Sequence, residues 1–140
     1  MYVPNDETQK WLETFVLDHA GVAGSVHVEQ DGDLRLTAAK SLPPPVIAAV
    51  AHVSRGKGMA GIAQTSRQPT QTCNLQTDDS GRIKPGAKAV SAQAAIALPV
   101  IDASGALVAI VGIAYGEEGE ISAARVQALM VAAANVPRSS

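Results

Sequence analysis

The sequence is poor in aromatic residues, nearly lacks cysteine and carries no excess of either charge. One Trp, one Phe and two Tyr are spread over 140 residues, so the core must be built mainly from Ala, Val and Ile. A single cysteine excludes an internal disulfide and any Cys-based zinc cluster. Eleven basic against thirteen acidic residues give a net charge of −2. That balance supplies no electrostatic case for nucleic acid or for an acidic lipid surface. Every apolar run is broken by Gly, Pro or charge before it reaches spanning length. The N-terminal residues Met1–Glu7 lack the basic region of a signal peptide. There are no repeats, and no biased tract beyond Pro43-Pro44-Pro45. Length and a 46% hydrophobic content predict one globular domain over residues 1–140, its patterned elements making a core at about 12–136. With no spanning run, basic leader or disulfide, a cytoplasmic location is the default expectation.

What is present reads as alternating helix and strand. Asn5 or Asp6 can cap a first helix, in which Trp11, Leu12, Phe15, Val16 and His19 form one stripe. Ser25–Gln30 alternates as a strand does, and Asp31-Gly32 suits a tight hairpin turn. Leu34–Ala38 pairs back. Pro45 can open a helix with Val46, Ile47, Val50 and Val53 on one side and His52 and Arg55 on the other. Thr70–Cys73 is short and β-prone, as an edge strand is. Residues 74–85 make a long polar loop, and one or two helical turns are expected at 86–90. Ala94–Ile101 and Leu107–Tyr115 are almost continuously apolar, joined by Asp102-Ala103-Ser104-Gly105, and are expected at the centre of the sheet. Pro99 requires a short or bulged neighbour on one side. Ser122 caps a last helix carrying Val126, Leu129, Met130 and Ala133.

The chain is organised around Gly56-Lys57-Gly58-Met59-Ala60-Gly61-Ile62-Ala63. Three glycines in six positions cannot sit inside a stable helix. They fit a helix end, a turn and a second helix start. A phosphate cradle would follow a strand, whereas this stretch follows an apolar helical segment, and no Gly-Lys-Ser/Thr is present. This stretch, then Arg67-Gln68-Pro69-Thr70-Gln71-Thr72-Cys73, then Ala94–Ile113 with its Pro99 and its Asp102–Gly105 hairpin, resembles a GAF domain over about Leu12–Ile121. The resemblance implies an α+β, GAF-like (profilin-like or PAS-like) fold. It has a five-stranded antiparallel sheet, terminal helices on one face, and connecting helices and loops over the other. It implies a ligand site under that second cover and pairing of copies through the terminal helices.

Each candidate for chemistry has a plain structural alternative. His27 should face away from Val26 and Val28, into the covered side, where it is either a ligand contact or a locally bonded core histidine. His19, His27 and His52 have no ligand-like spacing. Cys73 lacks a neighbouring cation and reads as an inert, half-buried residue. Methionine sulfoxide reductases of the family use several cysteines. Its bilin-binding members follow the attachment Cys with His, and here Asn74 follows. The Phe-containing signature of the cyclic-nucleotide-binding members is absent, since the only Phe is Phe15. Where the family often carries Arg-Ser before the penultimate strand, this chain has Gln93-Ala94, which disfavours a polyanionic ligand.

The residues therefore lead us to expect a non-enzymatic sensory or regulatory GAF domain acting in signal transduction. The ligand contacts are His27, Gln71, Cys73 and Gln93, and the loop 74–85 acts as a lid. The effector is small and weakly polar, no cofactor is named, and output passes to a signalling partner protein. A homodimer sharing Trp11, Phe15, Val126, Leu129 and Met130 is expected, with no nucleic-acid or membrane partner. The alternatives are a ligand-free dimerisation scaffold and, more weakly, a thiol-dependent reductase. Cys73 is expected not to be catalytic, since no second cysteine or neighbouring cation supports it. Thiol-labelling rates at several pH values test this, and a thiolate already formed near pH 6 would favour the reductase.

Overall fold

The computed structural model describes residues 2–76 and 92–138. The elements are α1 (Asp6–Asp18), β1 (Ala23–Gln30), β2 (Asp33–Lys40), α2 (Pro44–Val50), β3 (His52–Val53), α3 (Gly58–Ser66), β4 (Thr70–Thr72), β5 (Ala94–Ile101), β6 (Leu107–Tyr115) and α4 (Ala123–Ala133). Local chemistry explains several boundaries. The Asn5 side chain accepts a hydrogen bond from the Thr8 amide at 3.0 Å, and Ser122 does the same for Arg125 at 3.2 Å. Asp31 and Gly32 both take positive φ in the β1–β2 turn, as a two-residue hairpin loop requires.

The strands form one antiparallel sheet in the order β3-β2-β1-β6-β5-β4. It has six strands, one more than expected, because residues 52–53 leave the helical path. Val53 and His52 pair with Leu34 and Arg35 on the open edge of β2. Asp33 holds them there by accepting hydrogen bonds from the His52 ring at 2.8 Å and the Arg55 amide at 3.1 Å. That edge satisfies backbone groups that a longer α2 would otherwise satisfy. The central pair is β1–β6 rather than β5–β6, since the first hairpin docks on the last strand. Pro99 is accommodated as expected: β4 pairs with β5 only from Ala95 to Ala97 and stops short of it.

The two sheet faces carry different layers. On one, Leu12, Phe15 and Val16 of α1 and Leu129 and Ala133 of α4 pack on Val26, Ile96, Leu98, Val111 and Ile113. Trp11 stacks on Phe15 with ring centroids 4.9 Å apart. Phe15 and Leu129, expected at a shared interface, are thus used inside the chain, and Trp11, Val126 and Met130 are partly buried against the same cluster. On the other face, α2, α3 and Leu75 cover Ala23, Ala97, Ile110 and Ala114. The turns expected at 86–90 lie outside the described residues.

The central glycines are structural. Gly56 and Gly58 adopt φ of 78° and 64°, as the connection into α3 demands. Gly61 packs directly on that connection: a Cβ there would stand 2.7 Å from the Gly56 carbonyl carbon and 3.0 Å from its nitrogen. Helix propensity alone says that Gly61→Ala stabilises by about 1 kcal/mol. The backbone of Gly56 cannot yield as a flexible side chain would. We therefore expect Gly61→Ala to destabilise the protein by about 1–3 kcal/mol, the usual cost of overpacking, measured by urea unfolding.

Candidate functional site

A cavity of about 140 Å³ lies between the sheet and its second cover. Its floor is Ala23, Ser25 and His27 of β1, Ile110, Gly112 and Ala114 of β6, and Ala95 and Ala97 of β5. Its cover is Leu42, Val46, Val50, Val53, the first turn of α3 from Lys57 to Ala60, and Leu75. The cavity has a simple cause in the sequence. Along β5 and β6 the residues facing α1 and α4 are large: Ile96, Leu98, Val111 and Ile113. Toward the cover they alternate with Ala95, Ala97, Gly112 and Ala114, which leave space. A void of this size costs on the order of 3 kcal/mol relative to a filled core. Its lining is almost entirely apolar, with Ser25, His27 and the exposed Lys57 as the side chains that bring polarity.

His27 sits in this wall, as its position on β1 predicts, and is 3% exposed. Its Nε2 lies 2.8 Å from the Val50 carbonyl. A carbonyl only accepts, so Nε2 carries the proton and donates. Val50 is the last residue of α2, where carbonyls lack intrahelical partners. His27 thus ties the end of the cover helix to the floor. It is a locally bonded core histidine and a cavity residue together.

The other three expected contacts are elsewhere. Gln71 faces the opposite side of the sheet, where its Oε1 accepts from the Ile121 amide at 2.9 Å and its Nε2 donates to the Ile121 carbonyl at 3.4 Å. It holds the segment leading into α4. The reason is parity: Gln71 pairs with Ile96, whose side chain belongs to the α1/α4 layer. Cys73 follows β4 and is exposed rather than half-buried, and its carbonyl accepts from the Gly119 amide at 2.9 Å. Gln93 precedes β5, where its amide donates to the Tyr115 carbonyl at 2.8 Å. Neither residue is among the described residues lining the cavity. Of the expected lid, residues 77–85 lie outside the described residues. Sequence reading overlooked the small floor residues, because hydropathy counts Ala and Ile alike as apolar and ignores size.

A second polar group ties the cover to the β1–β2 turn. The buried Gln64 donates to Glu29 at 2.6 Å and to the Gly32 carbonyl at 2.8 Å, and Arg55 pairs with Glu29 at 3.3 Å. The hydrogen bond from His52 and that from the Arg55 amide hold the Asp33 carboxyl below the usual aspartate range. Among the described residues no group of three or more His, Cys, Asp or Glu could hold a metal ion, and no helix is long and apolar enough to cross a membrane.

The family model for the GAF domain matches residues 6–136. The chain belongs to the GAF domain family. Solved structures of the same fold include a type II free methionine-R-sulfoxide reductase from Thermoplasma acidophilum, with a TM-score of 0.71, 15% identity, and coverage of 91% of this chain and 85% of that one. They also include the GAF domain of an Acinetobacter phosphoenolpyruvate-protein phosphotransferase, with a TM-score of 0.67, 14% identity, and coverage of 94% and 88%. A third is a GAF domain/HD domain protein from Geobacter sulfurreducens, with a TM-score of 0.69, 11% identity, and coverage of 93% and 89%. No curated protein matches the chain.

Two outcomes follow for this GAF domain. His27→Leu removes the bond to Val50 and should cost about 1 kcal/mol. It should speed amide exchange across residues 44–50 more than across β6 when followed by hydrogen–deuterium exchange. Asp33 has a folded pKa below its unfolded one. Its stabilising contribution is therefore complete above about pH 4 and lost as pH falls through the lower folded value. Asp33→Asn should flatten the acid limb of the stability profile measured by chemical unfolding between about pH 4 and pH 2.

Proposed function

We propose that this GAF domain is a non-catalytic sensory or regulatory module that binds a small-molecule effector in the cavity beneath α2 and α3. Its ligand state is passed to a signalling partner protein. The observation that carries this reading is the cavity itself. A chain rich in Ala and Val could fill 140 Å³ with a few larger side chains, and it instead keeps Ala or Gly at most floor positions. The cover is held to the floor by a few identifiable contacts, chiefly the His27–Val50 bond and the buried Val46. A ligand filling the space would add contacts to both layers, and that difference is what a binding event can transmit. Among proteins of the same fold, a GAF domain lies within a phosphoenolpyruvate-protein phosphotransferase and another lies beside an HD domain, which supports a regulatory role.

The proposal includes a homodimer through the terminal helices. With Phe15 and Leu129 spent internally, the large apolar side chains left open there are Leu17 on α1, 79% exposed, and Val131 on α4, 63% exposed. Light scattering at tens of micromolar should give twice the chain mass, and a monomer mass would remove this part of the proposal. Native mass spectrometry of protein purified from its own host tests the rest. A bound small molecule is expected, and its loss should lower the melting temperature. Cys73-dependent turnover of free methionine sulfoxide would replace the sensory reading with the reductase one.

A further inference from the structure

We infer that the effector is a neutral, mostly apolar molecule about the size of a single aromatic ring, carrying at most one or two polar atoms. This rests on the cavity being the binding site. Size sets the first limit. A cavity of about 150 Å³ lined by aliphatic and aromatic side chains accepts benzene. The 140 Å³ that the described residues enclose is of that order, well below what a nucleotide or a tetrapyrrole would fill. Charge sets the second. The described residues lining the cavity include no carboxylate, and their one cation, Lys57, is exposed at the rim. A charged group carried to the floor would lose its hydration against Ala95, Ala97, Ile110 and Ala114 with no opposite charge there among the described residues. Polarity sets the third. The Nε2–H of His27 is committed to Val50. The Ser25 hydroxyl leans over the Cα of Gly112, lying 2.7 Å from where a Cβ would stand, and offers a contact for one ligand oxygen or nitrogen.

Shape points the same way. The floor is a sheet surface of mostly small side chains across β1, β6 and β5, interrupted by His27 and Ile110. Val46 and Met59 close it from above. A flat ring lies between two such surfaces with most of its area covered. The cover is lightly held there, since α2 is a seven-residue helix with one buried side chain, Val46.

Three probes of similar size and different charge decide the matter: toluene, benzyl alcohol and benzoate, titrated into protein carrying ¹³C-labelled alanine methyls. Toluene and benzyl alcohol should shift the Ala95, Ala97 and Ala114 methyl resonances saturably and slow amide exchange in residues 44–50. Benzoate should need roughly tenfold or more higher concentration, the consequence of burying an unpaired charge. Ala97→Leu should fill the space and abolish both responses. Ala95→Leu serves as the second filling variant should Ala97→Leu fail to fold. If benzoate binds more tightly than toluene and Lys57→Ala removes that binding, the neutral class is wrong while the cavity stands as the site. If adenosine monophosphate moves the same methyls at lower concentration than toluene, the size limit is wrong. If no probe moves them and filling the space changes nothing, both this inference and the cavity reading fall together.

Discussion

The pairing of β1 with β6 is the contact on which the rest of the molecule depends. It runs antiparallel from Ala23 opposite Ala114 to His27 opposite Ile110, joining residues more than eighty positions apart in the chain. Without it the sheet falls into two halves, β3-β2-β1 and β6-β5-β4, each a hairpin with one short edge strand. With it, one continuous sheet has two faces to bury. The loop-closure cost of so distant a pairing must be met by the layers that assemble on it. The contact is tight where α1 arrives: a Cβ on Gly24 would stand 2.6 Å from the Val16 Cγ2 and 3.0 Å from the Gly112 carbonyl oxygen. Glycine at that point lets helix, first strand and last strand meet at one level.

The same pair of strands divides labour between the faces. Val26, Val111 and Ile113 look toward α1 and α4 and make a filled core. Ala23, Ser25, His27, Gly112 and Ala114 look the other way and floor the cavity. The filled face supplies the stability that the open face gives up, a loss on the order of 3 kcal/mol for a void of this size. Net stabilities of domains are only about 5–15 kcal/mol, so this asymmetry matters. It also explains why a domain with 3% aromatic residues has an ordinary core: its bulk is concentrated on the side where close packing is needed.

The cover is attached at three places of different chemistry. His27 bonds the end of α2 at 2.8 Å. Asp33 holds β3 through His52 and the Arg55 amide. Gln64 fastens α3 to the β1–β2 turn through Glu29 and Gly32. All three anchors lead back to the β1–β2 hairpin. α1 meets the same hairpin from the other face, where the Gln9 side chain donates to the Ala39 carbonyl and accepts from the Ala39 amide.

Much of the fold was legible before any coordinates. Period-2 alternation in residues 25–38, the Asp31-Gly32 turn, and the caps Asn5 and Ser122 each have a local physical cause, so each survives into the structure. The glycines at 56–61 open α3 as expected, but they follow the strand β3 and not the end of a helix. Parity along β1 was enough to send His27 toward the cover. The third strand was not legible. Residues 52–53 carry a helical apolar period, and only the open edge of β2, brought near by the rest of the fold, draws them out of α2. Most of the site was hidden for a related reason. Gln71, Cys73 and Gln93 are polar residues near a strand, but which sheet face a side chain meets depends on register against a partner distant in the chain. The sequence by itself determined the family, the type of every described element but β3, and the small residues that make space possible. Tertiary structure alone decided that those small residues fall on one face of one sheet, because a cavity belongs to no single segment and exists only where several of them fail to touch.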